Sequence, residues 1–156
     1  MSKSLKRVVR ALAEAGHDIA ALEMPGSTRT AAEAAEAARC QLDQIAKSII
    51  FRGEVSGAAI LFITAGGNQV DAAKASAVAG EPLGKADAAL IRAQTGFAIG
   101  GVAPIGHLNP IRAFWDVRLS QFDTVFAAAG TPRHIFPIAP DTLRDLAAAT
   151  IAEFTV

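Results

Sequence analysis

The sequence predicts an α+β domain, a mixed α/β arrangement in which helices flank one β-sheet, and three observations carry that expectation. Segments with helical spacing and strand-like apolar runs are interleaved, without the strict alternation of a doubly wound parallel fold. Two adjacent apolar runs, Ile45 to Arg52 and Ala58 to Ala65, flank Gly53-Glu54-Val55-Ser56-Gly57, a hairpin signal that makes them antiparallel neighbours. The chain has 156 residues, 51% of them apolar, and no repeat, low-complexity tract or linker, so a single domain over 1–156 with its own core is expected.

The elements follow in order. Leu5, Val8, Val9 and Leu12 recur at helical spacing, which predicts a helix over 3–15 that Gly16 can end. Its opposite side carries Lys3, Lys6, Arg7 and Arg10. Ile19 to Met24 reads as a short strand stopped by Pro25-Gly26. Thr30-Ala31-Ala32-Glu33 matches a capping box, in which hydroxyl and carboxylate each satisfy a free backbone N–H, and an Ala-rich helix then runs to Arg39. The two hairpin strands come next, followed by a turn at Gly66-Gly67-Asn68. Asp71 and Asp87 are placed to cap short helices reaching Ala79 and Gln94. Gly96 to His107 is a Gly- and Pro-rich loop whose apolar residues are also suited to strand pairing. Ile111 to Trp115, Thr124 to Ala128 and Arg133 to Ile138 are strand candidates, Pro140 to Ala149 a helix with Asp141 in its first turn, and Ile151 to Val156 a last strand.

Composition narrows the function. Lys plus Arg equals Asp plus Glu at 15 each, so nothing pulls the whole chain toward nucleic acid, and any RNA contact must be a local patch. The basic side of the first helix is one candidate, able to meet phosphates of a nucleic acid, although the wet side of an amphipathic helix is the favoured reading. The single Cys40 permits no intrachain disulfide and suits a reducing cytoplasm. The amino terminus leads into charged residues rather than an apolar signal segment, and no apolar run approaches the roughly 18 residues of a membrane span. A cytoplasmic protein without a membrane partner is expected.

The usual routes to hydrolysis leave no signature. There is no Gly-x-Ser-x-Gly elbow. Gly80-Glu81-Pro82-Leu83-Gly84-Lys85 is too short for a phosphate loop, and Ala86 stands where Ser or Thr would bind magnesium. His17, His107 and His134 are far apart in sequence and show no metal-ligand spacing. Cys40 ends an Ala-rich helix, where the dipole disfavours thiolate, so packing is its better reading. No cofactor and no metal is expected.

Two segments carry a resemblance. Gln44-Ile45-Ala46-Lys47-Ser48-Ile49-Ile50-Phe51-Arg52 resembles the lysine-bearing strand of the YbaK/ProX family of aminoacyl-tRNA deacylases, which is related to the editing domain inserted in many bacterial prolyl-tRNA synthetases. Gly100-Gly101-Val102-Ala103-Pro104 resembles that family's Gly-x-x-x-Pro loop, and Ile105-Gly106-His107 continues like its Pro-x-Gly-His ending. Thr30 to Ala35 is similar to the helix start before the lysine strand, Thr64-Ala65-Gly66 with Val70-Asp71 to the central strand and its turn, and Ala128 to Pro132 to a turn near the C-terminus. Cys40 falls where many relatives place cysteine. Order and spacing agree from about residue 28 to 145.

The resemblance implies a curved mixed sheet and a free-standing deacylase. Its substrate would be the ester of a mischarged small amino acid on tRNA, tRNA-Pro foremost, with prolyl-tRNA synthetase as an implied second partner. Such an ester is already reactive, so positioning and charge stabilisation suffice without a protein nucleophile. Lys47 would then face a terminal phosphate. Backbone amides of Gly100 and Gly101 would stabilise the developing oxyanion, Pro104 would stiffen the loop, and His107 is an acid–base or packing candidate. Thr30, Ser48, Phe51 and Ile99 are expected around the substrate, with helix capping ranked first for Thr30. The plainer readings are a solvated strand lysine at Lys47 and an ordinary turn at Gly100-Gly101. At the level of function, the alternatives are a non-catalytic module that binds a tRNA end or nucleotide, a regulatory protein that lost the reaction, and a hydrolase of another acyl ester. The pairing of Lys47 with an intact Gly100-to-Pro104 loop favours catalysis.

Overall fold

The computed structural model describes residues 2–156. Five α-helices are α1 (Lys3–Glu14), α2 (Ala31–Ala38), α3 (Ala72–Ala79), α4 (Ala88–Thr95) and α5 (Pro140–Leu146). Eight strands are β1 (Leu22–Glu23), β2 (Ile45–Gly53), β3 (Ala59–Ala65), β4 (Leu83–Lys85), β5 (Arg112–Trp115), β6 (Val125–Ala128), β7 (His134–Ile138) and β8 (Thr150–Ile151). They form one mixed sheet in the order β1-β7-β6-β2-β3-β5-β8, with β4 added beside β2. The expected α+β class is the observed one.

Local chemistry explains the helix starts. Ser2 caps α1 by accepting from the Leu5 amide at 3.1 Å. Thr30 accepts from the Glu33 amide at 3.1 Å while Glu33 accepts from the Thr30 amide, the reciprocal capping box expected from sequence. Asp71 and Asp87 cap α3 and α4 through the amides of Lys74 and Leu90.

β2 and β3 form the expected hairpin, antiparallel from Ala46↔Ala65 to Arg52↔Ala59. β3 is buried at every position. Its Leu61, Ile63 and Ala65 join Leu5, Val8 and Leu12 of α1, Phe97 and Trp115 in the main core, while Ile60 and Phe62 face Ala75, Ala79 and Phe154 on the other side. Burial on both faces is why its sequence is continuously apolar rather than alternating.

Some boundaries differ from the sequence reading. Only Leu22 and Glu23 of the expected strand Ile19 to Met24 pair, with Ile135 and His134 of β7. The segment Gly96 to His107 joins no strand; Phe97, Ala103 and Ile105 anchor it in the core as a loop. The last helix ends at Leu146 rather than Ala149, and the last strand covers Thr150–Ile151. β4 lies in Gly80 to Lys85, a segment considered above only as a phosphate loop. Arg7 leaves the expected wet face of α1. Its guanidinium donates to the carbonyls of Gly96 at 2.7 Å and Gly106 at 3.2 Å and lies over the Phe97 ring, bracing the loop. Among the described residues, no helix is long and apolar enough to cross a membrane.

Candidate active site

The sheet opens beside β2. On one edge β2 is paired to β3 throughout, but on the other β6 runs parallel only at Ile45 and Ala46, and β4 pairs only from Phe51 to Gly53. A cavity of about 320 Å³ occupies this region. Its walls come from the α2 start (Thr28 to Ala31, and Ala34), from β2 (Ile45 to Ile50), from the loop tip (Ile99, Gly100 and Val102) and from Phe126, Ala127, Ala128 and Ile135.

Hydrogen bonds join these segments. Thr28 is buried, and its amide and hydroxyl both donate to the carbonyl of Pro132, at 2.7 and 2.9 Å. Gly101 is buried against the same turn, where an added Cβ would stand 2.9 Å from Thr131 backbone atoms, so only glycine permits this approach. Gly100 holds φ at +94°, a left-handed conformation strained for side-chain-bearing residues, and a Cβ there would meet the aliphatic stem of Arg29. With the loop ends anchored at Phe97 and Ala103, the tip carries Ile99, 60% exposed, over the cavity.

Lys47 lines the cavity, and its ammonium donates to the carbonyl of Gly66 at 3.3 Å. Burial pushes its pKa below the ordinary lysine range, while the carboxylates of Asp116 and Asp43 pull the other way. Asp116, only 5% exposed, accepts from the Ala65 amide (3.0 Å), the Asn68 side chain (2.8 Å) and the Arg118 amide (3.0 Å). Asp43 accepts from the Gly67 amide at 2.8 Å and from Arg118 at 3.0 Å. These bonds fix the turn that presents Gly66 to Lys47. Two further donor positions on the ammonium remain for a ligand.

The structure thus brings together Lys47, Ser48, Thr30, Ile99 and Gly100 around one cavity. The Thr30 hydroxyl is occupied by its cap with Glu33. The Ser48 hydroxyl is buried and has no hydrogen-bond partner among the described residues. Phe51 lies elsewhere: its ring packs edge-on against Phe62, centroids 5.7 Å apart, in the opposite core layer. Pro104 and His107 also stand away from this cavity and line a separate one with Leu146, Ala147 and Ala148. There the His107 Nε2 donates to the Ala103 carbonyl at 2.8 Å, and the ring meets Phe97 edge-on. Burial, followed by the nearby Arg7 cation, lowers its pKa against the opposing bond to Ala103. The packing alternative raised for His107 describes this environment.

Sequence reasoning missed Arg29, Asp43, Asp116 and the β6 wall. Arg29 borders Gly100 at the cavity rim, and its only sequence signal is adjacency to the capping threonine. Asp116 was legible only as a polar residue ending an apolar run. Cys40 packs against the small cluster of Ala34, Ala35 and Ile45, and burial raises its thiol pKa, which disfavours thiolate. Among the described residues, no three His, Cys, Asp or Glu side chains converge as a ligand set.

The fold and this cavity define the class of protein. The chain belongs to the aminoacyl-tRNA editing domain family, whose model matches residues 26–146. It is similar to the uncharacterized protein YwhH of Bacillus subtilis (strain 168), at 34% identity over 123 residues, covering 79% of this chain and 78% of that protein. One similar solved structure is described as that of a candidate trans-editing enzyme for prolyl tRNA synthetase, with 43% identity, a TM-score of 0.92, and coverage of 100% of this chain and 99% of that one. Another, a scaffold from computational epitope-backbone grafting, has 41% identity, a TM-score of 0.93 and the same coverage.

Proposed function

We propose that this chain is a free-standing deacylase that hydrolyses the ester of a mischarged small amino acid on tRNA, with tRNA-Pro as its tRNA. The observation that carries the reading is the convergence of Lys47 and the Gly100 loop tip on one cavity, the two features that family likeness singles out. Family membership supports the ester class, and the similar structure described for prolyl tRNA synthetase supports the choice of tRNA.

The chemistry asks little of side chains. Water adds to the ester carbonyl, the tetrahedral oxyanion collapses, and the ribose oxygen leaves and takes up a proton, releasing amino acid and free tRNA. The Gly100 amide at the loop tip is suited to the oxyanion, whereas the Gly101 amide, expected to share that role, is committed to the Ala98 carbonyl at 3.1 Å. The Lys47 ammonium, with donors to spare beyond Gly66, is suited to a phosphate of the terminal nucleotides, and Arg29 stands at the rim as a second cation. Ala34, Ile45, Ile91, Phe126 and Ala127 supply apolar walls for a small side chain.

The test is deacylation of tRNA-Pro charged separately with several small amino acids. Release of one non-cognate amino acid is expected, with Lys47→Ala lowering turnover about 100-fold or more, the scale of losing one transition-state or positioning contact. Near-normal turnover of a folded Lys47→Ala protein would refute the lysine's role, and no release across the panel would refute the deacylase.

A further inference from the structure

We propose that the aminoacyl group is gripped by the main chain of Ser48, as a one-residue strand filling the break in the sheet. The proposal rests on the deacylase reading above and specifies how its substrate is held.

The register argues for it. The Gly53 amide donates to the Ala58 carbonyl at 2.9 Å, which makes that pair a hydrogen-bonded one and sets the alternation along the hairpin. Gly53, Phe51, Ile49 and Lys47 therefore direct their amides and carbonyls to β3, whereas Arg52, Ile50, Ser48 and Ala46 direct theirs to the opposite edge. Two bonds from β3 confirm the alternation. Ala59 and Ala65, the partners of Arg52 and Ala46, turn their amides away from β2, to Gln94 and Asp116. On the opposite edge Ala46 meets β6 and Arg52 meets β4. Ser48 and Ile50 lie between them, in register with neither strand, and both border the cavity; Ser48 is the one next to Lys47. Its hydroxyl is, independently, the buried side-chain polar atom left without a partner among the described residues. A sheet edge left open over this stretch, with a buried hydroxyl unsatisfied at Ser48, is a place where a ligand supplies the missing bonds.

An aminoacyl ester has the complementary shape. Its α-ammonium donor and carbonyl acceptor are separated by one carbon, the spacing of the N–H and C=O of a strand residue. Set opposite Ser48, the ammonium donates to the Ser48 carbonyl and the Ser48 amide donates to the ester carbonyl oxygen, the two-bond ring of a hydrogen-bonded antiparallel pair. This contact reads the part shared by all α-amino acids and leaves the side chain to the apolar walls. The same amide also points at the oxygen on which charge develops.

The experiment compares alanyl-tRNA-Pro and seryl-tRNA-Pro with their lactyl and glyceryl counterparts, in which a hydroxyl replaces the α-ammonium. Rates are taken relative to uncatalysed hydrolysis of each ester. The acceleration is expected to fall about tenfold or more for the hydroxy esters, the scale of one charge-assisted hydrogen bond. In a second arm the amide joining Lys47 to Ser48 is replaced by an ester through nonsense suppression, deleting the Ser48 N–H while keeping its side chain. A thermal melt checks that this protein is folded. Its kcat is expected to drop about 10- to 100-fold with KM changed less, since the donor acts chiefly on the oxyanion. Equal acceleration of amino and hydroxy esters, or wild-type kcat in the backbone ester, overturns the proposal alone. If no aminoacyl ester is cleaved, the deacylase reading falls and the proposal falls with it.

Discussion

At His107 a family-like motif and a local environment diverge. The ring sits beside Pro104 and the α5 end, away from the cavity of Lys47, and braces the loop through Ala103. Its pKa lies below the ordinary 6.5, so the folded state binds its proton less readily than the unfolded chain. Between that lowered pKa and 6.5 the unfolded chain holds more protons, and stability must rise with pH there. His107 therefore costs nothing above 6.5, and its penalty grows as pH falls through the window. Urea melts from pH 7.5 to 4.5 are expected to show this acid loss in wild type and a shallower one in His107→Gln. Parallel curves for the two proteins would show that His107 does not titrate against the fold.

The turn after β3 is the element that places Lys47. Glycine at 66 and 67 allows close packing, since a Cβ at Gly66 would meet the Leu42 carbonyl and one at Gly67 the Asp43 carboxylate. Asp116, at the end of β5, holds the turn from the other side through Ala65 and Asn68. Asp116→Asn keeps the size but puts an amide N–H₂ where one bonded oxygen stood, leaving a buried donor unmet. A loss of about 1–3 kcal/mol in urea unfolding is expected. The substitution also removes a negative charge that favours the Lys47 ammonium, so the alkaline limb of the deacylation profile is expected to shift to lower pH. Stability lost with the profile unmoved would leave Asp116 a purely structural support.

Across the molecule, the sheet runs as one unit through eight strands, and cores on its two faces share β3. Such sharing couples the faces in unfolding. Trp115 is the single tryptophan and is fully buried in the main core. Its fluorescence and far-UV circular dichroism are expected to give superimposable urea transitions; separate midpoints would show that the two layers unfold independently.

Much of this was legible in the chain itself. The helix starts at Thr30, Asp71 and Asp87 depend on side chains bonding amides three residues away, so local sequence determines them. The β2–β3 hairpin was legible because a short glycine-flanked link joins two apolar runs, and the family was legible in the order of the lysine strand and the glycine–proline loop. Lys47 and Gly100 were named from that likeness, and they border one cavity. Tertiary structure alone decided which named residues share the site. Phe51 shares a face of β2 with Lys47, four positions along, yet it packs into the second core layer while Lys47 borders the cavity, and only the packing along the strand decides that. Pro104 and His107 follow Gly100 closely in sequence, yet the loop dives into the core at Ala103 and carries them to another surface. The break in the sheet beside Ser48 has no sequence signal at all. It arises where β6 and β4, about 40 residues apart in the chain, each stop short along the same edge, and such long-range pairing is set by the packing of the whole domain rather than by any local propensity.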